Sequence, residues 1–207
     1  MFITFEGIEG SGKTTQIDGI FRWLSEKGHD CVKTREPGAT AIGMKIRAIL
    51  LDPDSLDIEP AVELLLYTAD RAQHYSQILQ PALSKGQTVL CDRYFDATLV
   101  YQGYARGLDI ALIKELHRLI MKDLKPDRTI LLDLSAEEGL ARAWKQIDSG
   151  GRTVHETRFE NETIAFHDKV RAGYLALAHD DPSRFIIINA AQHVDVVQKE
   201  IIEALSL

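Results

Sequence analysis

The run Gly7-Ile8-Glu9-Gly10-Ser11-Gly12-Lys13-Thr14 limits what this 207-residue chain can fold into more than any other feature. Glycine, four residues, glycine, lysine and then a hydroxyl residue is the spacing of a loop that wraps phosphate. The glycines let the backbone curl, and successive N–H groups together with the next helix N-terminus face the anion. Such a loop belongs between a buried strand and a helix. Both neighbours fit, because Phe2–Phe5 is a short apolar run and Lys13–Glu26 has an amphipathic pattern. In that arrangement Lys13 reaches the β and γ phosphates and the Thr14 hydroxyl sits on Mg²⁺. A glycine-rich structural turn is the plain alternative.

The same alternation continues along the chain. Thr88–Cys91, Thr129–Leu132 and Phe185–Ile188 read as further buried parallel strands, with Asp30–Thr34 a weaker fifth. Helical patterns cover Lys13–Glu26, Ala41–Leu51, Glu59–Ser84, Ile110–Lys122, Ala136–Ile147, Asn161–His179 and Val194–Leu205. Strands alternating with helices predict one α/β domain with a doubly wound parallel sheet, which binds ligands at the carboxyl ends of its strands. Asp148–Glu160, with Gly150-Gly151 and little apolar material, reads as an exposed, mobile loop, either a functional lid or a passive surface loop.

Charge narrows the function. Lys and Arg number 24 against 31 Asp and Glu, a formal charge of −7, so there is no basic excess for a dedicated nucleic-acid binder. No stretch is long and apolar enough to span a membrane, and no basic segment leads into an apolar one at the N-terminus, so a cytoplasmic protein is expected. Cys31 and Cys91 fall in short apolar runs and read as buried free thiols.

Candidate ligand residues stand at the strand ends. Asp92 follows Thr88–Cys91 and is the first choice for a second metal ligand; Asp133, after Thr129–Leu132, ranks second because it lacks a neighbour like Arg93. Arg35 and Arg93 both follow strands and are placed to clamp a second phosphate with their planar guanidinium groups. Tyr67, Arg71 and His74 share one helix face, where a tyrosine could stack on a base and an arginine bond its edge. An aromatic core contact and a solvated arginine are the other reading.

These residues together resemble the thymidylate kinase family over nearly the whole chain. The resemblance is carried by Phe5-Glu6-Gly7-Ile8-Glu9-Gly10-Ser11-Gly12-Lys13-Thr14-Thr15, by Thr34-Arg35-Glu36-Pro37-Gly38 and by Leu66-Tyr67-Thr68-Ala69-Asp70-Arg71-Ala72-Gln73-His74. Asp92-Arg93-Tyr94 with Tyr101-Gln102-Gly103 completes it. It implies a P-loop nucleoside monophosphate kinase fold: a five-stranded parallel sheet with helices on both faces and a lid at about 148–160. It also implies transfer of the γ-phosphate of ATP to dTMP, with Mg²⁺, usually in a homodimer. Another nucleoside or nucleoside monophosphate kinase of this fold, or more remotely an ATP-dependent switch, are the alternatives.

Carried over to this sequence, the resemblance gives Arg93 and Arg35 the dTMP phosphate, Tyr67 the thymine face and Arg71 its O4. Thr98 and Gln102 lie near the base edge, Tyr101 backs the deoxyribose, and Glu9 faces the sugar and acceptor phosphate. No basic residue stands among Ile8, Glu9, Gly10 and Ser11, so the chain resembles the bacterial type whose lid supplies the arginine that acts on the γ-phosphate. Arg152 and Arg158 are the candidates and Arg152 is favoured for its place beside the glycine pair. Arg142 corresponds to a residue that stacks on adenine, with Ala191-Gln192 against its other side. Lys13, Arg93 and Arg152 are thus the expected catalytic residues. Lys13, Arg35, Arg71, Arg93, Arg142, Arg152 and Arg158 are expected to converge on one cleft, a positive site in an acidic protein.

Overall fold

The computed structural model describes residues 1–55, 57–151 and 153–205. Strands β1 (Phe2–Glu6), β2 (Cys31–Arg35), β3 (Thr88–Asp92), β4 (Arg128–Asp133) and β5 (Phe185–Asn189) form one sheet in the order β2-β3-β1-β4-β5. Every pair is parallel. The central strand β1 is buried throughout: Ile3 and Phe5 pack with Ile17, Ile20 and Leu24 of the first helix, while Phe2 packs with Leu79, Ala82 and Tyr94. Both faces of β1 therefore exclude water, which is why its sequence is continuous rather than alternating. The edge strand β2 is half-exposed, matching its weaker pattern; Cys91 is fully buried, whereas Cys31 on that edge is only partly so.

The helices are α1 (Lys13–Glu26), α2 (Ala41–Leu51), α3 (Pro60–His74), α4 (Gln80–Ser84), α5 (Phe95–Thr98), α6 (Ile110–Met121), α7 (Ala136–Asp148), α8 (Ile164–Asp180) and α9 (Val194–Leu205). The helix expected over Glu59–Ser84 is α3 and α4 joined by a widened π turn, Tyr75–Leu79. Pro81 explains the widening: it has no amide hydrogen, and its ring crowds the carbonyl one turn earlier. A second π segment, Leu99–Ala105, extends α5. No helical signal is legible there, since half of residues 94–105 are aromatic or β-branched and Gly103 lies among them.

The strand register gathers the ligand residues. Arg35 pairs with Asp92, Asp92 with Phe5 and Glu6 with Leu131, so β2, β3, β1 and β4 end on one rim beside the phosphate loop. The expected exposed loop Asp148–Glu160 divides in two. Ser149 to Gly151 are exposed, but Thr157, Arg158, Phe159 and Glu160 are buried. Phe159 meets Tyr101 edge-on at 5.3 Å and Arg158 pairs with buried Glu63. Counting polar residues marks this half as exposed because it cannot see that the arginine's counter-charge is itself in the core.

Candidate active site

The phosphate loop leaves β1 with Gly7 at φ 139°, where a Cβ would sit 2.6 Å from the Leu132 carbonyl oxygen. Gly12 caps α1 in the left-handed region at φ 91° and has no side chain to bond the first-turn amides. Those amides therefore remain for an anion. Lys13 Nζ folds back onto the loop, 3.0 Å from the Gly7 carbonyl and 2.8 Å from that of Ile8. Burial and the neighbouring Arg93 charge push it down to about 8. Thr14 Oγ1 donates to Asp92 Oδ2 at 3.1 Å, so a hydroxyl and a carboxylate meet at the loop mouth. Asp133, the second choice, is held bidentately by Arg171 at 2.7 and 2.9 Å.

The loop opens into a cleft of about 640 Å³ whose walls include Lys13, Arg35, Tyr67, Arg71, Arg93 and Gln102. Arg93 is at its centre. Its backbone is left-handed at φ 65°, a conformation costing roughly 1–3 kcal/mol outside glycine, and it is held there by its N–H on the Phe5 carbonyl at 3.0 Å. Its guanidinium lies over the Tyr101 ring at 4.9 Å, donates to Glu9 Oε1 at 2.8 Å and to the Tyr174 hydroxyl at 3.2 Å. Tyr101 donates to the same Glu9 oxygen at 2.7 Å. Burial alone would raise the Glu9 carboxyl, but Arg93 and His167 outweigh it and hold it well below the usual carboxylate range.

The wall opposite the loop is a buried relay. Thr34 Oγ1 and His74 Nε2 are 2.7 Å apart, and His74 Nδ1 lies 2.7 Å from Glu36 Oε1. Glu36 Oε2 accepts from Arg71 Nε at 2.7 Å, and Arg71 Nη2 donates to Thr98 Oγ1 at 2.8 Å. Arg71 is 3% exposed, so the reading of it as solvated is excluded. Its Nη1 makes no hydrogen bond among the described residues. Burial works against the Glu36 charge, yet Arg71 and His74 bring that carboxyl below its ordinary value. Asp70 goes the other way: burial and the Glu36 charge raise it to about 6 while it accepts the Gly38 N–H at 3.0 Å.

The model of the thymidylate kinase family matches residues 5–201. The chain belongs to the thymidylate kinase family. It is 53% identical to the thymidylate kinase of Desulfosudis oleivorans over 205 residues, 99% of this chain and 96% of that protein. Against the thymidylate kinase of Desulforapulum autotrophicum it is 54% identical, covering 100% of this chain and 91% of that one. Its fold matches the crystal structure of thymidylate kinase from Ehrlichia chaffeensis with a TM-score of 0.79 at 33% identity, covering 99% and 98% of the two chains.

This kinase does not bring every expected cation to the cleft. Arg158 is turned away: Nε donates to the Ser55 carbonyl, Nη1 to that of Leu50, and Nη2 pairs with Glu63 at 2.6 Å. It lines a separate cavity of about 210 Å³ with Arg106 and Glu162. Glu63 has no exposed surface, and its charge is met there by Arg158 together with Arg106 at 3.4 Å. Arg152 lies outside the described residues. Arg142 donates to the Ala190 carbonyl at 2.8 Å, which brings it beside Ala191-Gln192, but the Gln192 amide turns to Glu200 at 3.0 Å. Acidic groups share the cleft walls, Glu9, Glu36 and Asp92 among them. No spacing pointed to Glu6, Glu63 or His167, each buried and each in polar contact with a cleft residue or its support.

Proposed function

We infer that the cleft transfers the γ-phosphate of ATP to dTMP, giving dTDP. The observation that carries this is the meeting of the phosphate loop with Arg93 at the mouth of a pocket already wired by Glu36, Arg71, His74 and Thr98. A phosphate monoester has a second pKa near 6, so the acceptor is mostly dianionic at neutral pH and needs no general base. The chain's task is to align two polyanions and cancel their repulsion. The loop amides and Lys13 take the donor phosphates; a bound phosphate also restores the charge that burial weakens on Lys13. Arg93 and Arg35 take the acceptor phosphate from the other side.

Nucleobase recognition falls to the wired wall. Arg71 has Nε and Nη2 committed to Glu36, Thr98 and the Tyr94 carbonyl, which supports Nη1 as the donor to O4 of thymine. Gln102 gives its amide nitrogen to Glu63 at 2.8 Å, leaving its oxygen for the base edge. Tyr67 lines the cleft, where its ring is available to stack on the base. Tyr101, fixed by Glu9, backs the sugar. Thr14 and Asp92 are hard oxygen donors that fit Mg²⁺, which takes one or two protein ligands beside substrate phosphates and would supply charge neutralisation at the transferring group. With Arg158 committed to Glu63, the γ-phosphate contact falls to Arg152, and Arg142 to adenine.

A homodimer is supported by apolar side chains left exposed on α2, α3 and α6, including Ile42, Ile49, Val62, Leu65, Leu112 and Leu119. Free cysteines support a reducing compartment such as the cytoplasm. The substrate assignment is tested by ADP release with dTMP, dUMP, UMP and deoxythymidine as acceptors. The highest kcat/KM is expected with dTMP; equal or faster turnover of UMP or deoxythymidine would replace the assignment.

A further inference from the structure

His167, on α8, has no exposed surface and lies behind the phosphate loop. Its Nε2 is 3.0 Å from the Phe159 carbonyl oxygen, at the root of the lid segment. Its Nδ1 is 3.1 Å from Glu9 Oε2, at ion-pair distance, and neither of these two buried atoms makes a hydrogen bond among the described residues. A carbonyl can only accept, so Nε2 carries the hydrogen that meets Phe159. In a neutral imidazole that leaves a lone pair on Nδ1 facing an ionised carboxylate at 3.1 Å, with nothing to offset the buried charge. The imidazolium turns the same approach into an ion pair.

Glu9 is ionised, since Arg93 and Tyr101 both donate to its other oxygen. Its carboxylate is therefore held between two cations, Arg93 on the cleft side and His167 on the core side. We propose that His167 is a positioning residue acting as an imidazolium, which ties the lid root to Glu9 and thereby fixes Arg93 for the acceptor phosphate. This rests on the reading of Arg93 and Glu9 as acceptor-side groups. A dianionic phosphate arriving at Arg93 comes close to the Glu9 charge, and a cation behind Oε2 offsets that repulsion. With a neutral ring, Glu9 keeps more of Arg93 for itself.

The groups facing the ring agree with a held charge. Glu9 approaches from the phosphate loop and Glu160 from the lid root, the Phe166 ring stands edge-on at 5.6 Å, and Arg93 lies beyond Glu9. Burial opposes the charge, but Glu9 and the Phe159 carbonyl prevail and raise the imidazole above its ordinary 6.5. The tie is therefore complete below that value and is lost as pH rises through the raised one.

The charge is read directly by ¹⁵N NMR of histidine-labelled, intact protein between about pH 6 and 9. One imidazole is expected to keep both nitrogens protonated at a pH where the other histidines have lost one, and its signal should vanish in His167→Gln. A neutral His167 ring at pH 7 overturns the proposal. In turnover, His167→Gln should lower kcat/KM for dTMP about tenfold at neutral pH, leave KM for ATP within about twofold, and abolish a fall on the alkaline side that the unsubstituted enzyme shows. A variant with lowered melting temperature and an unchanged pH profile would make His167 merely structural and also overturn it. The NMR reading does not depend on turnover. Failure of the dTMP assignment would appear separately, as an unsubstituted enzyme that does not phosphorylate dTMP.

Discussion

On the proposed donor side of the cleft, phosphate would meet backbone amides set by glycine conformations within one stretch of chain, and Lys13 bonds to that same stretch. On the proposed acceptor side the groups are side chains from β2, α3, α5 and the turn after β3, of which Thr34, Arg71, His74, Thr98 and Arg93 are joined through Glu36 and Glu9. The donor side is built from one local stretch; the acceptor side is assembled from residues far apart in the chain. A backbone cradle recognises any polyphosphate, whereas a wired set of donors at fixed places can select one base and one sugar. The difference predicts that donor-side changes act on turnover and acceptor-side changes on binding and stability.

The largest effect expected is on the donor side. Arg152→Ala should lower kcat by about 10³ while dTMP affinity changes by less than about tenfold, measured by steady-state kinetics and calorimetry. Equal losses in both would move Arg152 to the acceptor side. Next is the core of the acceptor wall. Glu36→Ala leaves the buried Arg71 charge without its partner and should cost about 3–5 kcal/mol in urea unfolding. Because Glu36 is held below its ordinary 4.5, the stability it supplies is present above that pH and lost as pH falls through the lowered value, so the variant should show a weaker acid dependence.

A smaller effect sits at the seam between the two sides. Glu6 accepts from the Tyr174 hydroxyl at 2.7 Å and from the Tyr94 amide at 2.8 Å. Burial and the nearby Asp96 push it up to about 7, so the folded chain holds that proton more tightly than the unfolded one. Stability should then fall as pH rises from 4.5 to about 7. Relative to Glu6→Gln, the unsubstituted protein is expected to lose up to about 3 kcal/mol across that window. Parallel stability curves for the two would remove Glu6 as the source.

The same contrast explains what could be read from the sequence. The phosphate loop is a local pattern, and its strand, helix and lysine stand where the spacing puts them. The five strands were legible from their apolar runs, with ends shifted by a residue. The wiring of the acceptor wall was not legible, because nothing in the spacing of Glu36 and Arg71, or of Glu9 and His167, says that they meet. Resemblance supplied residue names on that side, but not that Thr98 holds Arg71 or that Glu63 holds Gln102. The setting of Arg158 was hidden for the same reason: in a polar segment it reads as a lid cation, and its partner Glu63 lies far off in sequence on α3. The π segment carrying Tyr101 and Gln102 was hidden by residues that favour strands.

The affinity of the protein for dTMP, measured by calorimetry in the Lys13→Ala and Arg71→Ala variants, tests the division most directly. The account predicts that Lys13→Ala binds dTMP within about threefold of the unsubstituted protein although its turnover falls at least ~10²-fold. Arg71→Ala should remain folded in part and bind dTMP at least about tenfold more weakly. Loss of dTMP binding in Lys13→Ala with normal binding in Arg71→Ala would contradict it.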